Sequence, residues 1–239
     1  MKKFNLLNII VIILVLGLVT LGVLRFSGLV QNDEKTIDVS ETATITKPAD
    51  RVLINIGVET QGETATEAED ENTQITNSIY DALEELGLDE DGYSTEYFSV
   101  YPNKDWQNNG EIIDYTVSHN IKIDTEDLNL VGEILDRSIS AGANQIYGLQ
   151  FTLKDETEKS AKEEAYKKAS EGARIKAESI AQGLGVKITK IISITDSSVE
   201  YYPLMRSISY DEAASSNSIQ IESGDVTVTA RISVSYGFK

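Results

Sequence analysis

Any chemistry in this chain has to come from one histidine, scattered carboxylates and no cysteine at all. His119 is the only imidazole, so a His–His metal pair and a second histidine acting as a relay are both excluded. It falls in an alternating apolar run, and that register predicts a core or interface histidine. A general base needs a nucleophile within hydrogen-bond reach, and the sequence singles none out. Without cysteine there is no thiolate nucleophile, thiolate metal site or disulfide framework. No G-x-S-x-G elbow or S-x-x-K pair appears, and neither phosphate-cradling glycine motif is present. Asp89-Glu90-Asp91-Gly92, with Glu96 beyond, has part of a calcium loop's composition. Its first ligand is missing and Glu96 follows the glycine too closely, so a solvated helix-to-strand turn is expected. The alternatives are a hydrolase whose cleft holds a carboxylate pair drawn from acids around Asp89–Glu96 or Asp114, and a divalent-cation-binding surface protein. No catalytic, cofactor-binding or metal-ligating residue is assigned, and a non-enzymatic protein without cofactor is expected. The residues singled out for contact are Trp106 in a polar loop and Tyr201, Tyr202, Met205 and Tyr210 in a Ser/Tyr-rich stretch, because no helical or strand period buries them.

Charge narrows the partners. The 239 residues include 21 Lys+Arg and 39 Asp+Glu, a net charge of −18. Such an excess repels nucleic acid and anionic lipid headgroups, so nucleic acid is not an expected partner. The elements that position everything else begin with Leu6–Leu24, an apolar run without charge between Lys2-Lys3 and Arg25. As a helix it would cover about 28 Å, close to the hydrocarbon thickness of a bilayer. It is longer than a signal-peptide core and lacks a small-residue cleavage site, so an uncleaved signal-anchor is expected. The lysines place the N-terminus in the cytoplasm and the rest outside the cell membrane. The expected organisation is an anchor over residues 1–26, a linker over 27–35 and one extracytoplasmic domain over 36–239.

Period-two alternation predicts strands at Ile37–Ile45, Val52–Val58, Tyr93–Tyr101, Ile113–Ile123, Ile146–Leu153, Val186–Thr195 and Val226–Tyr236. The first two, joined across Lys47-Pro48-Ala49-Asp50, read as a hairpin. Spacings of three and four predict helices at Thr64–Leu86, Leu128–Ile139 and Asp155–Leu184. Each stops at a glycine, Gly87, Gly142 or Gly185. Asn72, on the inner stripe of the first helix, is expected to be a hydrogen-bonded packing residue. The last helix carries alanine at 161, 165, 169, 173 and 177, a face that lets a backbone approach closely. Residues 102–110 and 196–217 read as loops, the first with an Asn109-Gly110 turn. The expected fold is α+β: a mainly antiparallel sheet with three helices on one face, built from repeated strand–helix–strand units and preceded by one transmembrane helix.

Taken in order, the segments resemble the SIMPL-domain family of bacterial envelope proteins. The resemblance lies in Lys47-Pro48-Ala49-Asp50 through Thr60, Ala65–Asn72, Tyr97–Pro102, Tyr115–Ser118, Ala141-Gly142-Ala143-Asn144 and Ile219–Val234. Ser223-Gly224 stands where the family pattern has Pro-Gly. The resemblance implies a non-enzymatic domain that self-associates as a homo-oligomer, with a role in envelope or oxidative-stress defence, and it carries over no site residues.

Overall fold

The computed structural model describes residues 35–89, 91–206 and 223–239. Leu6–Leu24 and Tyr210 lie outside the described residues. Among the described residues no helix is long and apolar enough to cross a membrane.

The chain runs β1 (Thr36–Pro48), β2 (Arg51–Gly62), α1 (Ala65–Glu85), β3 (Tyr93–Asp105), β4 (Glu111–Thr125), a 3-10 turn (Leu128–Leu130), α2 (Val131–Ser140), β5 (Gln145–Thr152), α3 (Asp155–Gly183), β6 (Ile188–Tyr202), β7 (Leu204–Arg206) and β8 (Asp225–Phe238). The single expected sheet is two sheets. One has five strands in the order β3-β4-β2-β5-β7, and the other has three in the order β1-β8-β6.

The expected β1–β2 hairpin is replaced by a corner, for a local reason. Pro48 has no N–H to give. The next two amides bond in different directions, Ala49 N–H to the Gly224 carbonyl (3.1 Å) and Asp50 N–H to the Thr152 carbonyl (3.2 Å). The Asp50 carboxylate then accepts from Lys154 N–H (2.7 Å) and the Thr157 hydroxyl (2.5 Å), capping the first turn of α3. After the corner β1 pairs with β8. Ser40 meets Ser233 and Thr44 meets Thr229, one partner advancing as the other recedes, which is antiparallel pairing.

Two compact units result. The larger comprises residues 40–175 and 195–233. In its core Val52, Ile54, Ile56 and Val58 of β2 are buried with Ile121 and Ile123 of β4 and Leu149 and Phe151 of β5. Helix α1 begins at Thr64, whose side chain caps the Glu67 amide while Glu67 returns a bond to the Thr64 amide. Its buried face is Ala68, Asn72, Thr76, Ile79 and Leu83. Helix α3 follows β1 in the opposite direction. Lys47 pairs with Glu164 at 3.0 Å, and a Cβ on Gly172 would meet the Glu41 side chain at 2.8 Å. The expected small-residue face is fully buried at Ala161, Ala165, Ala169 and Ala173. The smaller unit comprises the described residues 35–39, 176–194 and 234–239. Its core is Ile37, Val39, Ala177, Ala181, Val234 and Tyr236. There Phe238 N–H bonds to the Lys35 carbonyl, and Lys187 and Lys239 exchange both backbone bonds.

All three expected stop glycines take positive φ: Gly87 at 86°, Gly142 at 116° and Gly185 at 71°. At Gly142 space matters as well, since a Cβ would lie 2.8 Å from Ile75. Two expected loops are partly strand. β3 continues through Pro102 to Asp105, and residues 196–202 and 204–206 belong to β6 and β7. Pro102 is tolerated because β3 is an edge strand, where a missing N–H need not break the ladder.

Candidate functional site

Three places in the larger unit gather polar or aromatic side chains. The first is a cleft of about 780 Å³ lined by residues from the β2 start, the α1–β3 turn, the β4 end and the first turn of α3. Arg51 lies in it with both ends of its guanidinium engaged. Nε and Nη2 donate to Asp124 at 2.8 and 2.5 Å, and Nη1 to Asp155 at 3.2 Å. The hydrogen bond to Asp124 holds Arg51 above its ordinary pKa. Lys154 pairs with Glu126 at 2.6 Å, and that bond raises the lysine pKa. Asp89 and Asp91 enter from the turn, where Gly92 N–H bonds to the Asp89 carbonyl at 2.9 Å. Asp89, Asp91, Asp124, Glu126, Asp155 and Glu156 therefore share one cleft, and both of its cations are committed to carboxylates. Among the described residues no group of three or more His, Asp or Glu side chains is placed to hold a metal ion. The structure does not bring Asp114 to this cleft. It accepts from Asn103 near the far end of the β3–β4 hairpin, and Glu96 lies at a bulge on exposed β3.

The second place is a polar chain between α1 and the sheet, with His119 at its centre. Asn72 Nδ2 donates to the Val58 carbonyl (3.0 Å), and Thr76 donates to Asn72 Oδ1 (3.4 Å). The Thr76 hydroxyl also meets His119 Nδ1 (3.2 Å), while His119 Nε2 meets Thr95 Oγ1 (2.7 Å), which in turn contacts the Tyr80 hydroxyl (3.3 Å). With Thr76 donating to Asn72, the chain is satisfied when Nδ1 carries the imidazole proton and Nε2 accepts from Thr95. Phe98 packs edge-on against the ring, centroids 5.3 Å apart. Burial lowers the His119 pKa below its ordinary value. The expected packing role of Asn72 is seen, and His119 lies half-buried against α1 in the expected register.

The third place is the β3–β4 hairpin beyond the reach of α1. Its turn is closed by Gly110 N–H to the Asp105 carbonyl (2.9 Å), with Asn109 and Gly110 at φ 56° and 75°. Trp106 at the tip is 82% exposed, and Tyr97, Phe98, Tyr101, Ile112 and Ile113 are exposed along the arms. Ile113 was expected to face inward with Val117 and Ile121, but the hairpin outruns the helix that would cover it.

The tyrosine-rich contact stretch divides. Tyr201 is at the end of β6 and is not a free loop residue. Its hydroxyl bonds with Thr152 Oγ1 and accepts Leu153 N–H (2.8 Å), pinning β6 beside β5. Tyr202 and Met205 are exposed. Tyr202 donates to Glu200, and that bond raises the phenol pKa. Sequence reasoning missed Asn144, which sits in the quoted Ala-Gly-Ala-Asn segment. It extends the β2 ladder past the end of β5: its N–H goes to the Gly57 carbonyl (3.1 Å), its Oδ1 takes Glu59 N–H (2.9 Å) and its Nδ2 donates to the Glu59 carbonyl (2.7 Å).

An α+β domain with two antiparallel sheets, three helices and a charge-paired cleft is the class these observations define. The chain belongs to the SIMPL family, described as a protein of unknown function (DUF541), whose profile matches residues 37–236. It is similar to the 26 kDa periplasmic immunogenic proteins of Brucella melitensis biotype 1 and Brucella abortus. Each is 27% identical over 213 residues, covering 85% of this chain and 84% of the relative. It is also similar to the uncharacterized protein YggE of Edwardsiella ictaluri, 23% identical over 185 residues and 74% of each chain.

Proposed function

We propose that this is an envelope protein tethered to the cell membrane by Leu6–Leu24, its domain outside, serving as a non-enzymatic scaffold that associates with copies of itself. The observation that carries the reading is the arm of exposed apolar side chains Tyr97, Phe98, Tyr101, Trp106 and Ile113, carried on both faces of the β3–β4 hairpin, since exposed apolar surface of this kind marks interaction sites. The address is supported by the apolar run after Lys2-Lys3 and by the word periplasmic in the names of the Brucella relatives. A role in envelope stress defence follows from the family resemblance. In detergent, the full chain runs as an oligomer by light scattering, and Trp106→Ala with Ile113→Ser shifts it toward monomer without lowering its melting temperature. A wild-type chain that stays monomeric at micromolar concentration, and gives no cross-linked species in membranes, overturns the assembly.

A second reading, a carboxylate-based hydrolase, is favoured by the six carboxylates that share the cleft with Arg51. Hydrolysis of a chromogenic glycoside or ester that Asp89→Asn or Asp91→Asn abolishes would establish it, and identical rates in the variants would remove it.

A further inference from the structure

We infer that the smaller unit is a docking surface for an anionic lipid leaflet, an inference that rests on the membrane-tether reading above. Its charge is opposite to that of the chain as a whole. Within its described residues stand Lys35, Lys176, Lys187, Lys190 and Lys239 against Asp38 and Glu178, in a protein of net charge −18. Three of these lysines converge through the backbone. Lys35 opens β1, and its carbonyl takes Phe238 N–H at the end of β8; next to it Lys239 exchanges both bonds with Lys187, which leads into β6. Lys35, Lys187 and Lys239 are all exposed.

Beside this cluster the unit shows aliphatic side chains to solvent. Leu184 is 67% exposed in the turn that closes α3. On β6 Ile191 is 53% exposed; Ile194, three residues further on, is 58% exposed on the opposite face of the strand. Val186 N–H bonds back to the Ala181 carbonyl, so Lys187 follows Leu184 directly around the end of the helix. A hollow of about 510 Å³ opens there, lined by Ala181, Gly185, Val186, Lys187 and Ile188 among others. Glu178 also lines the hollow, but the aliphatic groups lie beside a lysine cluster, and that composition partitions to a lipid interface. The chains enter the acyl boundary while the ammonium groups meet lipid phosphate.

Chain length points to the same occupant. Nine residues lie between Arg25 and Lys35, and the span across them reaches at most about 35 Å when fully extended. The unit that receives the chain from the membrane is therefore held within reach of the headgroups.

The chain has no cysteine, so Leu184→Cys in the full-length protein accepts one polarity-sensitive dye, and Asn108→Cys at the hairpin tip serves as the control. Both are reconstituted into vesicles of phosphatidylcholine with phosphatidylglycerol, and the dye is quenched by spin-labelled lipid. Quenching at position 184 is expected to exceed that at position 108 by about threefold or more, and to fall to the control level in high salt or in Lys187→Glu/Lys239→Glu. Equal quenching at the two positions overturns the inference, as does a signal at 184 that follows protein density instead of phosphatidylglycerol content. Alkaline carbonate extraction of the same vesicles reads the tether alone. A chain retained in the pellet with no excess quenching at 184 leaves the tether standing and removes the docking surface. A chain released by carbonate removes the tether.

Discussion

Replacing Asn144 with alanine should destabilise the larger unit more than its half-buried position suggests. The side chain stands in for one more residue ahead of the strand that begins at Gln145. Its Oδ1 takes Glu59 N–H at 2.9 Å and its Nδ2 serves the Glu59 carbonyl at 2.7 Å, where β5 does not reach. Alanine removes both bonds and supplies no substitute. Each net bond is worth about 1 kcal/mol, and a partly buried backbone group left unpaired costs somewhat more, so the loss is about 2–3 kcal/mol. For a domain of this size that is a fall in melting temperature of about 5–10 °C. Asn144→Asp separates the two bonds, because a carboxylate still accepts from Glu59 N–H but faces the Glu59 carbonyl with no proton to donate. It should be no more stable than the alanine variant at neutral pH and should recover on acidification as the carboxyl becomes a donor. Urea unfolding followed by circular dichroism reads both, with an unchanged slope showing that the midpoint reports stability. A midpoint for Asn144→Ala corresponding to a loss below about 0.5 kcal/mol would refute the ladder-extension argument, as would wild-type stability for Asn144→Asp at neutral pH.

Two further outcomes follow from packing and protonation. Burial holds the folded His119 pKa below its ordinary 6.5, so the unfolded chain binds the proton first. The stability contributed by the neutral ring is complete above about pH 6.5 and is lost as pH falls through the folded value. Urea midpoints between about pH 7.5 and 5 should therefore decline for the wild type and flatten in His119→Gln; parallel profiles would contradict the neutral-ring chain. Ala169→Leu forces a larger side chain into a site with 0% exposure and should cost about 2–3 kcal/mol. The exposed neighbour Lys167→Ala should stay within about 0.5 kcal/mol in the same titration.

Periodicity and punctuation made much of the local structure legible. α1 was read from Ala68, Ile79 and their spacing, its end from Gly87, and the α3 face from alanine at every fourth residue, because such signals depend only on neighbours in the chain. Thr76 was not placed on the buried face of α1; the partner that pulls it inward is His119, 43 residues away. Ile113 continues the period-two alternation in the sequence, yet it is exposed: the β3–β4 pairing steps past it at a bulge, from Asn103–Asp114 to Lys104–Ile112, and alternation says nothing about whether another element covers it. Tyr201 read as a loop residue because nothing local buries it; its hydroxyl is satisfied by Thr152 and Leu153.

The charged cleft was out of reach of sequence for the same reason. Arg51 finds Asp124 at a separation of 73 residues and Asp155 at 104, and no spacing rule joins groups so far apart. The division into two sheets turns on Ala49 and Asp50. Their adjacent amides bond to Gly224 and Thr152, strands that the local pattern cannot choose between. Local periodicity therefore set the helices, strands and turns, together with the charge and the apolar leader. Which strand lies beside which, and so which carboxylate meets Arg51 and which lysines gather beside Leu184, was decided by tertiary pairing, where long-range hydrogen bonds and core burial outweigh any preference between neighbouring residues.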